Sequence, residues 1–273
     1  MISTLLVLAL SARVDLGVVY SKVSGETLRM DIYAPQPMGK RVPAVVVIHG
    51  GAWIGGSREG MASLCRRLSE EGILAATIDY RLAPKYRWPA FYDDAQTAVR
   101  FLRANAKKYR IQADKIGACG SSAGGHLALL LGFTDTRETK PLEHPGYSSR
   151  VMAVLDMFGP TDMSRDFPKS YDSLFMAVLG KPRSSATAEI RAASPVSYLD
   201  ARSSPVFIIH GLDDPVVPVA QSKWLESKLR ALRIATIARY VPGMKHEISS
   251  TNSRAMEAMS EGLTWLKGRL SLN

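Results

Sequence analysis

The run Ala44-Val45-Val46-Val47-Ile48 is apolar at every position and mostly β-branched. Successive side chains of a strand point to opposite faces, so such a run fits only a strand covered on both sides. Runs of the same kind return at 73–78, 151–155 and 206–209, with shorter strand signals at 115–119 and 236–241. Between them, apolar residues recur at helical spacing. The stripes are Met61, Leu64, Cys65 and Leu68; then Phe91, Ala95, Ala98, Val99 and Leu102 behind Pro89; then Trp224, Leu225, Leu229 and Leu232. A last stripe carries Met256, Met259, Leu263, Leu266 and Leu270. Strands alternating with amphipathic helices need right-handed crossovers and give a mostly parallel sheet with helices on both faces. Ahead of it, 18–33 alternates around Ser24-Gly25-Glu26 and is stopped by Pro35 and Pro37, which predicts an antiparallel hairpin. The expectation is an α/β fold with an eight-stranded sheet.

A chain of 273 residues can bury one large core. No repeat or interior linker divides it, so 14–273 reads as a single domain. Residues 160–200 are less regular, with a helix near 171–179, and predict at most a small cap. Residues 1–13 resemble the apolar core of a signal peptide without a basic lead, or a first strand; secreted, periplasmic and cytoplasmic locations all stay open. The net charge is +10, but the basic residues are dispersed, in only short clusters such as Arg66-Arg67 and 107–110. That reads as a solvated face, with no nucleic acid or membrane as partner. Two cysteines, Cys65 and Cys119, make no disulfide framework and read as buried thiols.

The chemistry centres on Gly120-Ser121-Ser122-Ala123-Gly124, a Gly-x-Ser-x-Gly placed between a strand and an apolar helix. Such a turn exposes the serine hydroxyl at the top of a sheet. Alone the pattern equally fits a helix cap. Acyl transfer by serine also needs a base, an acid to orient it, and oxyanion donors. Among five histidines, His246 lies on the loop between the last strand and last helix, after the serine and after an acid. His49 and His210 close strands and read as loop holders, His126 as a helix residue behind the turn, and His144 as a surface residue. Asp213 and Asp214 both follow the strand at 206–209; Asp214 is the preferred acid, and Asp213 reads as a turn or cap residue. Backbone donors for an oxyanion are expected from Ala123 and from Gly51 and Ala52 of the loop His49-Gly50-Gly51-Ala52-Trp53. Ser121 and Trp53 are pocket candidates. Nucleotide-binding, zinc-protease and paired-cysteine motifs are lacking, which argues against a metal or nucleotide enzyme.

Together, His49 to Trp53, Asp79-Tyr80-Arg81-Leu82-Ala83-Pro84, Gly120 to Gly125, Asp214-Pro215-Val216-Val217-Pro218 and Gly243 to His246 resemble the hormone-sensitive-lipase-like group of α/β-hydrolase esterases. The resemblance implies the α/β-hydrolase fold, carboxylic ester hydrolysis by Ser122, Asp214 and His246, no cofactor, and a structural role for Asp79-Tyr80-Arg81. Ala52 replaces the third glycine of the family's His-Gly-Gly-Gly, and Trp53 follows, which points to a narrowed acyl pocket. The N-terminal strands replace a helical cap and look more like the bacterial xylan- and feruloyl-esterase branch. Expected substrates are small esters with short acyl or aryl groups, including acetyl or feruloyl esters of sugars. An arylformamidase and a non-catalytic ligand-binding relative are the competing readings, and monomer and homodimer are both open.

Overall fold

The computed structural model describes residues 12–37, 39–136 and 143–272. β1 (Arg13–Val23) and β2 (Glu26–Ala34) form the hairpin, turned by Ser24 and Gly25 at φ 52° and 80°. Two positive φ values give the turn whose twist matches its flanking strands. β3 (Val42–Ile48), β4 (Leu74–Ile78), β5 (Ile111–Ser121), β6 (Val154–Met157), β7 (Val206–Gly211) and β8 (Thr236–Val241) complete the sheet. Among the described residues it has eight strands, ordered β1-β2-β4-β3-β5-β6-β7-β8. β1–β2 and β2–β4 are antiparallel; all later pairs are parallel. The alternation of runs and stripes predicts this mostly parallel sheet, and the arrangement is the α/β-hydrolase fold that the resemblance implies.

The helices are α1 (Ala62–Glu70), α2 (Ala90–Ala104), α3 (Ala106–Tyr109), α4 (Ala123–Phe133), α5 (Asp172–Leu179), α6 (Thr187–Ala193), α7 (Ala220–Ala231) and α8 (Ser253–Ser271). β3 shows why its run has no polar position. Val45 and Val47 pack in one layer with Cys65 and Leu68 of α1 and Leu263 and Leu266 of α8. Val46 and Ile48 pack in the other, with Phe91 of α2, Leu127 of α4 and Leu225 of α7. Each such side chain contributes about 1.5–3 kcal/mol by leaving water. Cys65 and Cys119 are both free and buried. Among the described residues, no helix is long and apolar enough to cross a membrane. Of the segment 1–13, only Ala12 and Arg13 are described, so the leader reading lies outside these residues; Arg13 opens β1.

Two boundaries differ from the sequence reading. The run at 151–155 predicts a strand, but the ladder with β5 starts at Val154 opposite Ala118 and continues to Met157. Val151 and Met152 donate instead to the carbonyls of Leu131 and Ile116, at 3.0 and 2.7 Å. β5 starts at Ile111, not Lys115, because its register with β3 slips between Val42 and Ala44.

β6 also contains Asp156, which is fully buried. Its Oδ1 accepts from the Gly159 amide at 3.1 Å, and among the described residues its Oδ2 has no partner. Burial pushes this carboxyl up to about 8, against a weaker downward pull from the Gly159 bond. In the unfolded chain it titrates near ~4. Between those values folding therefore takes up a proton, so stability falls as pH rises, by up to about 1.4 kcal/mol per pH unit. Asp156→Asn is expected to remove that dependence. Melting curves at pH 5 and pH 8 should show the variant gaining on the wild type at the higher pH; an unchanged difference defeats the argument.

Candidate active site

β5 ends and α4 begins at Ser122, whose backbone sits at φ 53°, ψ −121°. A non-glycine residue there stores roughly 1–3 kcal/mol of strain. The Ser122 amide donates to Met157 O at 2.9 Å, and Ser122 O accepts from the His126 amide at 3.0 Å. The turn closes only because its flanking residues lack side chains. A Cβ on Gly124 would lie 2.0 Å from Ile48 O, and one on Gly120 would lie 2.3 Å from Gly124 O.

The structure brings Ser122, His246 and Asp214 together. His246 Nε2 lies 2.8 Å from Ser122 Oγ, and its Nδ1 lies 2.7 Å from Asp214 Oδ2. The carboxylate can only accept, so the neutral ring carries its proton on Nδ1 and Nε2 is free to accept from the serine. Asp214 Oδ1 accepts from the Val216 and Val217 amides at 2.8 and 2.9 Å. Burial pushes the Asp214 carboxyl up, but hydrogen bonds from His210, His246, Val216 and Val217 outweigh it and hold it well below the usual range. Asp213 instead accepts from the Gly243 amide at 2.7 Å and pins the turn that carries His246.

His210 does more than the loop-holding predicted for it. Its Nε2 lies 2.8 Å from Val217 O and 3.2 Å from Asp214 Oδ2, both acceptors, so it carries a proton there. Its Nδ1 lies 2.7 Å from Ser222 Oγ. Asp214 thus receives four donors, two per oxygen, and has little freedom to turn. Phe158, at φ 46°, packs its ring 4.6 Å from His246 on the remaining side. Neither contact leaves a trace in sequence spacing.

The glycine loop stands across from Ser122. Gly51, Ala52 and Trp53 follow one another at φ 112°, 52° and 59°. A Cβ on Gly50 would come 3.2 Å from Ser122 Cβ, so this loop abuts the turn. Among the described residues, no acceptor takes the amides of Gly51, Ala52 or Ala123. Asp79, Tyr80 and Arg81 brace the loop in separate ways. The Tyr80 hydroxyl donates to His49 O at 3.0 Å and its ring stacks on His49 at 4.2 Å. Arg81 clamps Asp94 of α2 at 2.8–3.0 Å, and Asp79 pairs with Arg58.

Two spaces meet at Ser122. One is apolar, about 460 Å³ with solvent in its mouth included, and bounded by Trp53 and by Met163, Phe167, Tyr171, Leu174, Phe175 and Val178. The first part of the 160–200 excursion, residues 160–178, is therefore the wall of a pocket. Trp53 is only 4% exposed, braced by His126 at 5.0 Å and Phe91 at 6.2 Å between ring centres. Burial pushes His126 down to about 4, and its Nε2 sits 2.6 Å from Ala193 O, behind the turn as expected. The other space is an open cleft of about 1500 Å³, solvent in its mouth included, lined by Ser121, Ser122 and His246. Val216 lines both, and its carbonyl accepts from the Tyr171 hydroxyl at 2.7 Å. Among the described residues, no group of three or more His, Cys, Asp or Glu could hold a metal ion.

A family model described as BD-FAE matches residues 30–229. Esterase LipC of Mycobacterium tuberculosis is 34% identical over 226 residues, covering 80% of this chain and 56% of LipC. The chain spans about half the length of the curated mycobacterial esterases it matches. A truncated carbohydrate esterase from gut microbiota superposes with a TM-score of 0.84 at 26% identity, over 96% of this chain and 98% of that one. A propionate-bound thermophilic esterase from the planctomycete Thermogutta terrifontis gives 0.80 at 26% identity, over 96% and 97%.

Proposed function

Since the chain belongs to the BD-FAE family of α/β-hydrolase esterases, we propose that it hydrolyses carboxylic esters through an acyl-enzyme on Ser122. The observation that carries this is His246 bridging Ser122 Oγ and Asp214 Oδ2 at 2.8 and 2.7 Å. Ser122 Oγ attacks the ester carbon and its proton passes to His246 Nε2. Asp214 keeps the imidazole oriented and stabilises the cation that forms. The amides of Gly51, Ala52 and Ala123 take the oxyanion; each such donor is worth about 3 kcal/mol in the transition state. His246 returns its proton to the alcohol oxygen as the C–O bond breaks. Water, deprotonated by the same nitrogen, then releases the acid.

The proton transfer assigns the two spaces. The departing oxygen must reach His246 Nε2, and His246 lines the open cleft but not the apolar pocket. The alcohol therefore lies in the cleft and the acyl group under the wall formed by residues 160–178. The rings of Trp53, Phe167, Tyr171 and Phe175 crowd this pocket, which favours short acyl chains, as does the propionate held by the Thermogutta relative. Across p-nitrophenyl acetate, butyrate and decanoate, kcat/KM should hold within about tenfold for the first two and drop at least about tenfold for the third. A maximum at decanoate contradicts the pocket assignment, and no turnover of any ester contradicts the hydrolase reading.

A further inference from the structure

The apolar stripes of α1 and α8 do not stop where the core stops. Met61, just before α1, and Leu64 in its first turn are half-buried, and Met256 at the start of α8 is 37% exposed. With Met259, and with Ile248 from the loop that carries His246, they line the open cleft. Besides Ser122 and His246, its polar side chains are Ser63, Arg67, Ser121 and Glu247, outnumbered by apolar ones. Arg67 has a guanidinium nitrogen on Ser260 Oγ, and Ser63 and Glu247 are exposed. Among the described residues no Trp, Tyr, Asn, Gln or Asp lines the cleft. Its one ring, Phe158, is 4% exposed and packed against His246.

We infer that the cleft takes an apolar alcohol, alkyl or aryl, and not a sugar ring; this rests on the hydrolase reading and on the alcohol leaving from the His246 side. A sugar brings several hydroxyls that lose water and need partners, and an unpaired polar group is costly to bury. An alkyl or aryl group needs only apolar surface. Thioether side chains add adaptability, because unbranched methionines repack around different shapes. The cleft thereby separates this chain from relatives whose names include carbohydrate.

The test holds the acyl group constant. Methyl, hexyl and 2-phenylethyl acetates are compared with acetylated xylo-oligosaccharide, using the whole chain. Hexyl and 2-phenylethyl acetates should exceed methyl acetate in kcat/KM by about tenfold or more, and the oligosaccharide should trail both. Met256→Gln and Leu64→Gln, made separately, should each lower the hexyl-to-methyl ratio by about fivefold; methyl acetate turnover in the same preparation reports a folded site. An oligosaccharide ester that matches hexyl acetate overturns the inference and leaves the hydrolase standing. So does a ratio that moves in neither variant. If the wild type turns over no acetate at all, the hydrolase reading falls and this inference with it.

Discussion

Ser122→Ala is expected to lower kcat for p-nitrophenyl acetate by roughly 10⁵-fold or more. The size follows from there being no substitute nucleophile. His246 Nε2 faces Ser122 Oγ at 2.8 Å, whereas Ser121 lines the cleft without a hydrogen bond to the imidazole. What survives is the residual catalysis of the oxyanion amides and binding, about 10³–10⁴ over water in enzymes of this chemistry. Folding should be untouched, because the bonds that hold the turn use the Ser122 backbone. Intact-mass analysis after a fluorophosphonate should show one adduct on the wild type and none on the variant. Wild-type turnover in Ser122→Ala would remove Ser122 from the reaction.

The second large effect separates two adjacent aspartates. Asp214→Asn is expected to cost about 10³–10⁴ in kcat, and Asp213→Asn about threefold or less. Asp214 accepts four hydrogen bonds, and an amide nitrogen in place of either oxygen would face donors with a donor. If the nitrogen faces His246, the ring must turn over its protonation and Nε2 can no longer accept from Ser122. Asp213 accepts a single bond, from the Gly243 amide, which an asparagine oxygen can still accept. Steady-state kinetics on both variants decide it, and the opposite ranking exchanges their roles.

How far the sequence was legible depended on distance along the chain. The serine turn shows itself within five residues only as a pattern that equally fits a helix cap, and the alternation of β-branched runs with stripes marks the strands and helices without ordering them in the sheet. The choice of His246 among five histidines came from chain order within a known architecture, but that order left Asp213 and Asp214 both eligible; only in the folded chain does Asp214 meet His246 while Asp213 turns to the Gly243 amide. His210 against Asp214, Phe158 against His246 and the Tyr171–Val216 bond were not legible. Each joins segments that meet only in the folded chain. Asp156 ended the strand reading early, because a buried carboxyl looks like a break in an apolar run. Met61, Leu64, Met256 and Met259 were legible as stripes, yet nothing in a periodicity says where a core ends and a cleft begins.

Val216 ties two properties to one residue. Its amide helps fix Asp214, its carbonyl holds Tyr171, and the residue lines both spaces. Substitutions that reshape this part of the acyl wall therefore also disturb the acid, and selection meets epistasis at once. The walls supplied by α1 and α8 contribute no atom to the Ser122, His246 and Asp214 contacts. Diversification among descendants of this chain should accordingly run first through the alcohols they accept, with acyl preference the slower character to change.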